Sequence, residues 1–166
     1  MFENTRAGNR LSNTLAHLQA QMQALGPATI WIEALIQDDS QSWSLHTTRG
    51  LDIGISFASP PARLILSAPL GKPEDADRQS VYATMLCTNL LYAEEASLRV
   101  ALTGPEGDLM LISEISPVDW SIAELAAALL RFSGTVQSFI DALCLSTEEI
   151  TEASEISETA IAALRV

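Results

Sequence analysis

Residues 43–68 hold three runs of alternating apolar and polar side chains, joined by connections too short for a crossover. The runs are Trp43–Thr47, Leu51–Phe57 and Leu64–Ala68. In the second, Leu51, Ile53, Ile55 and Phe57 face one way, while Asp52, Gly54 and Ser56 face the other. A period of two is the mark of a strand with one buried face. Thr48-Arg49-Gly50 fits a hairpin turn, and Ser59-Pro60-Pro61 makes the next turn. Turns this short oblige neighbouring strands to run antiparallel, so the stretch predicts a three-stranded meander.

Beyond the meander, the pattern changes to that of a helix. Pro69, Gly71 and Pro73 are expected to stop strand pairing, because proline removes ladder donors. Glu74, Asp75 and Asp77 then stand where a helix N-terminus favours negative charge. Behind them come Val81, Tyr82, Met85, Leu86, Asn89, Leu90 and Tyr92. That surface is wider than one core-facing stripe requires. A helix of this kind has two things to bury against. One is its own sheet, and a second copy of the chain is the candidate for the other.

Two more strands are expected next. Leu98, Val100 and Leu102 alternate with Arg99 and Thr103, Gly104–Gly107 supplies a turn, and Leu109, Leu111 and Ile115 return on one face. Met110 and Ile112 make the other face apolar, which predicts cover on both sides. Ser121 and Glu124 form a capping box ahead of Ile122, Leu125, Leu129, Phe132, Val136, Phe139, Ile140 and Leu143, a long amphipathic helix. Gly134 within it costs about 1 kcal/mol relative to Ala, so close packing is expected there. The residues from Thr147 onward are rich in glutamate and read as a short helix or an acidic tail of little order.

Ahead of the meander, Leu11, Leu15, Leu18, Met22 and Leu25 form a narrow seam on a helix from about Thr5, ended by Gly26-Pro27. Packing on a sheet is the simple reading of that seam, and lining a groove is the sharper one. Residues 29–37 are ambiguous. Ile30, Ile32, Ala34 and Ile36 alternate, but Trp31 and Leu35 make the other face apolar too. We read the run as a strand followed by a turn at Asp38–Ser42. The predicted fold is α+β, in the order α-β-β-β-α-β-β-α with this one further strand in question: an antiparallel twisted sheet with flanking helices. One domain is expected over residues 1–145, with an acidic tail over 146–166.

Composition narrows the function. The 166 residues carry a formal charge of -12, from 21 acidic against 9 basic side chains. That disfavours nucleic acid and anionic membranes as partners and suits a neutral or basic one. No stretch approaches the apolar length of a membrane helix, and MFENTRAGNR has no apolar region of signal-peptide type, so a cytoplasmic protein is expected. Cys87 and Cys144 read as buried free thiols in helices. His17 and His46 have no partner at metal-ligand spacing. Gly104 and Gly107 flank a hairpin turn rather than opening a helix, so they make no phosphate cradle. Asp38-Asp39 and Glu94-Glu95 lie at element ends, where solvated charge is ordinary. No catalytic residues, metal or cofactor are expected, and no enzyme activity.

Several ordered strings resemble the class I type III secretion chaperones, the Tir-chaperone-like family. They are Ser44-Leu45-His46-Thr47, Leu51-Asp52-Ile53-Gly54-Ile55, Leu64-Ile65-Leu66-Ser67-Ala68-Pro69-Leu70-Gly71, Leu86-x-x-Asn89-Leu90-Leu91, and Ser97–Leu102 with Leu109-Met110-Leu111. The resemblance spans about residues 8–145. Two stretches depart from it in length: Pro27–Ser42 and the acidic end beyond Leu145. The resemblance implies a homodimer through the second helix and the neighbouring strand, here Val81, Tyr82, Met85, Leu86, Asn89, Leu98 and Val100. It implies a client as well, the N-terminal segment of a secreted effector, held extended and export-competent without ATP hydrolysis by the chaperone. Leu15, Leu18, Met22, Leu45, Ile53 and Ile55 are the expected effector-binding positions, and strand addition at a sheet edge is a further mode. The secretion-apparatus ATPase is a further candidate partner. The alternative is a small-molecule sensor, which would need a closed cavity with convergent polar groups.

Overall fold

A computed structural model describes residues 14–25, 29–75, 77–91, 98–105, 107–116 and 120–163, without the side chains of 91 and 144–163. Helix α1 occupies residues 14–25. Four strands come after it: β1 (Ile32–Gln37), β2 (Ser42–Thr47), β3 (Asp52–Ala58) and β4 (Arg63–Gly71). Then come helix α2 (Arg78–Leu91), β5 (Leu98–Leu102), β6 (Leu109–Ile115) and helix α3 (Ile122–Ala163). The strands make one antiparallel sheet in the order β1-β2-β3-β4-β6-β5.

The predicted α+β class is the observed one. The ambiguous run at 29–37 supplies β1, which makes the sheet six-stranded and puts a strand inside the long stretch between α1 and the meander. Its apolar character on both faces has a mixed outcome. Ile32 is buried and Leu35 packs on the core, while Ile36 is 51% exposed. The β2–β3 turn is closed by Gly50, whose φ of 77 lies in the left-handed region glycine favours. Thr47 Oγ1 accepts from the Leu51 amide at 2.9 Å.

One expectation fails at Pro69. The strand does not stop there but runs on to Gly71, still paired with β6 through Pro69↔Met110 and Gly71↔Leu109. The pairing of β3 with β4 ends earlier, at Gly54↔Ser67. Beyond Ser67 one side of β4 has no strand neighbour, so a proline there interrupts no ladder on that side. A register shift between Pro69 and Gly71 absorbs the irregularity, and Gly71 takes a φ of 92.

Alternation puts Trp43, Leu45, Ile53, Ile55, Leu64, Leu66, Ala68, Leu109 and Leu111 on one sheet face, all buried. Leu18, Met22 and Leu25 of α1 and Leu125, Leu129, Phe132 and Val136 of α3 close the same core. A buried polar contact joins the two helical segments: Gln21 of α1 donates through Nε2 to the Trp120 carbonyl just ahead of α3. The other sheet face is polar or small at Ser44, His46, Asp52, Gly54 and Ser56. A Cβ on Gly54 would sit 2.9 Å from Ser67 Oγ on the next strand, so a larger residue there would require Ser67 to turn aside.

The expected capping box is formed. The Ser121 amide and hydroxyl both donate to Glu124 Oε2 at 2.7 Å, and the Glu124 amide donates back to Ser121 Oγ at 3.3 Å. These bonds, the amide's first, hold the Glu124 carboxyl below its ordinary value of 4.5. The helical backbone of α3 continues to Ala163, past the boundary expected at residue 145. Close packing at Gly134 is not found. The position is exposed, and nothing lies within 4 Å of where a Cβ would be. Cys87 is exposed rather than buried, and the Cys144 side chain lies outside the described residues. Met110 and Ile112 are half-buried.

Gly134→Ala should therefore stabilise the protein by about 0.5–1 kcal/mol, read as a higher urea midpoint. Ser121→Ala should cost roughly 1 kcal/mol at neutral pH. A carboxyl whose value is lowered by folding contributes stability above its ordinary value and loses it as pH falls. The gap between wild type and Ser121→Ala should thus narrow as the urea midpoints are remeasured below pH 4.5.

Candidate functional site

Two parts of the surface carry features that the core does not explain. The first is the flank where α2 meets β5. Tyr82, Met85, Leu86, Asn89, Val100, Ala101, Leu102 and Leu109 line an open, mostly apolar groove of about 250 Å³. α2 supplies both wall and rim. Val81, Tyr82 and Met85 turn toward the core, whereas Leu86 is 70% and Leu90 77% exposed. On β5, Leu102 is 40% exposed at the far end of the same groove. Asp75 pairs with Arg78 at the helix start, and the Thr84 and Thr88 hydroxyls donate back into the helix. The Tyr82 hydroxyl, by contrast, is buried with no hydrogen-bond partner among the described residues.

Of the seven positions expected at a twofold contact, Tyr82, Met85, Leu86, Asn89 and Val100 all line this groove. Val81 and Leu98 are half-buried and pack on the core behind it. Tyr92 lies outside the described residues. Asn89 has a role beyond that of a contact residue. Its Nδ2 donates to the Val100 carbonyl at 2.9 Å and its Oδ1 accepts from the Val100 amide at 2.7 Å. The one signal of this in the sequence is a lone carboxamide among apolar helix residues.

The second place is the β1 edge. β1 pairs with β2 on one side and has no strand on the other. Exposed Ile36 lies on it, and exposed Glu33, Asp38 and Asp39 surround it with negative charge. Asp39 Oδ1 accepts from the Gln41 amide at 2.6 Å, and this bond, followed by one from the Ser42 side chain, holds its carboxyl below the ordinary value. Asp38 accepts from Ser44 Oγ at 2.7 Å. Gln19 of α1 donates to the Ser40 carbonyl at 2.9 Å, fastening the helix to the β1–β2 turn.

The six residues expected to receive an effector do not form an exposed patch. Leu18, Met22, Leu45, Ile53 and Ile55 are all 2% exposed or less, and Leu15 is half-buried against the same core. Their spacing does mark an apolar face, but α1 and the sheet bury that face against each other. The surface nearest to them is the edge of β1 and the outer side of α1. Leu11 lies outside the described residues.

Polar side chains of the outer sheet face pair with one another. No group of three His, Cys, Asp or Glu side chains among the described residues could hold a metal ion. His46 Nδ1 meets Asp52 Oδ1 at 2.6 Å across β2 and β3, in solvent. Glu114 takes Arg99 at 2.5 Å and Arg63 at 3.3 Å, a three-membered ion cluster on the outer sheet face. No described helix is long and apolar enough to cross a membrane.

An antiparallel sheet with helices on one face, an acidic open edge and an apolar flank defines a binding protein. The Tir chaperone protein (CesT) family model matches residues 38–139, well over half of the chain, and the chain belongs to that family. Among solved structures, the chain is similar to one in the HopA1-SchA chaperone-effector complex, with 14% identity and a TM-score of 0.58. That match covers 79% of this chain and 97% of the other. It is also similar to a chain of the ExsC-ExsE complex, with 14% identity, a TM-score of 0.50, and coverage of 60% and 74%. At such identity these two likenesses speak for the fold. No curated protein sequence matches the chain.

Proposed function

We propose that this chain is a type III secretion chaperone that binds the N-terminal segment of a secreted effector in extended form and keeps it export-competent. Membership of the Tir chaperone family carries the reading. The surface agrees with it. β1 offers a strand edge, where backbone hydrogen bonds supply affinity with little demand on client sequence. The acidic rim at Glu33, Asp38 and Asp39 favours a basic segment. No catalysis is needed, and the chaperone acts in the cytoplasm, handing its cargo to the secretion-apparatus ATPase.

The active form is a homodimer through α2. Leu86, lining the groove, and Leu90, further along α2, expose large apolar side chains, the surplus that a twofold mate would cover. A small-molecule sensor is the weaker reading. The groove is open, and its one carboxamide, Asn89, already bonds the backbone of its own chain.

Leu86→Arg should leave the fold intact, because the side chain is already mostly exposed, and should break the dimer. A loss of at least about 2 kcal/mol is expected for a central interface residue, roughly a thirtyfold rise in dimer dissociation constant by sedimentation. A variant that stays dimeric would remove α2 as the contact. For the client, co-expression with effectors from the same locus should yield a soluble complex in which an N-terminal effector segment resists protease. Ile36→Lys, a charge placed on the edge strand, should weaken that complex about tenfold or more without changing the melting temperature. Unaltered binding would move the client away from β1.

A further inference from the structure

The sheet has two terminal strands, and the structure treats them differently. β1 meets no polar side chain that occupies its outer backbone groups among the described residues. On β5, the Val100 amide and carbonyl are both taken by Asn89, at 2.7 and 2.9 Å. A backbone unit that points both groups at α2 points neither at β6, so the neighbouring Arg99 and Ala101 supply the ladder to Ile112 and Met110. The Asn89 carboxamide offers one acceptor and one donor with the spacing of a peptide group. It stands where the next strand would pair.

We propose that Asn89 is a positioning residue that closes the β5 edge, leaving β1, among the described strands, as the terminal strand to which an extended chain can add. The functional meaning rests on the reading of this protein as a binder of extended segments. The physical claim does not. An unpaired edge is a template for any strand, including β5 of a second copy. With Asn89 in place, two copies meet at this flank through side chains of the α2 groove rather than through a continuous sheet. The same two bonds tie α2 to β5, beside the packing of Val81, Tyr82 and Met85 on the core.

The test compares Asn89→Ala with Asn89→Asp in the full chain. Alanine frees both Val100 groups. Aspartate still accepts from the Val100 amide, cannot donate to its carbonyl, and sets a charge on the edge that repels a strand. In Asn89→Ala, the Val100 amide should exchange with solvent at least about tenfold faster, while Arg99 and Ala101 keep their protection. In Asn89→Asp, the Val100 rate should stay near that of wild type. Light scattering over a concentration series should show a further association step for Asn89→Ala alone. Three results would overturn the proposal: all three amides accelerating together, Asn89→Asp associating as Asn89→Ala does, or Asn89→Ala keeping the wild-type mass throughout. No client enters these measurements, so they stand whether or not an effector segment is ever found to bind.

Discussion

The pairing of β4 on both of its sides is the constraint on which the rest of the molecule depends. It is the one strand bonded to both halves of the chain: β3 beside it in sequence, and β6 from beyond α2. Its buried side chains, Leu64, Leu66, Ala68 and Leu70, form the floor on which α3 rests. Pairing a single strand on two sides while packing its face requires strict alternation, and a slip of one residue would turn every one of these side chains outward. The long register from Leu64↔Ile115 to Gly71↔Leu109 guards against that slip.

The helices inherit their roles from this arrangement. α1 and α3 have apolar stripes matched to the sheet face and give them up to it, which is why the seam residues Leu18, Met22 and Leu25 are buried. α2 sits at the β5 end and meets only the margin of the core. Its stripe is wider than the space beneath it, so Leu86 and Leu90 remain outside. The exposed apolar area of this flank comes from geometry: it is what is left over where the sheet runs out.

Much of this is legible in the sequence. Strict alternation at Leu51–Phe57, the capping box at Ser121 and the excess width of α2 each depend on local chemistry, and local chemistry can be read from neighbours in the chain. The failures share a cause. Whether Pro69 ends a strand depends on how far β3 extends, and whether Leu45 or Ile53 lines a surface depends on what α1 covers. Gly134 and Cys87 turn on which side of a helix faces empty space. Asn89 depends on a backbone eleven residues away. None of these is a property of a window of sequence.

The pairing of β4 with β6 also orders events in time. It joins Gly71 to Leu109 and Leu64 to Ile115, and it encloses α2 and β5 in the loop it closes. The β1–β4 hairpins need only short loops and can form early, whereas this closure is the slow, long-range step. Until Ile115 has been made and paired, β5 has no neighbour, Val100 has no fixed place for Asn89 to reach, and the groove has no far wall. A chain still leaving the ribosome thus exposes the whole apolar face of α2 before β5 is in place to meet any of it.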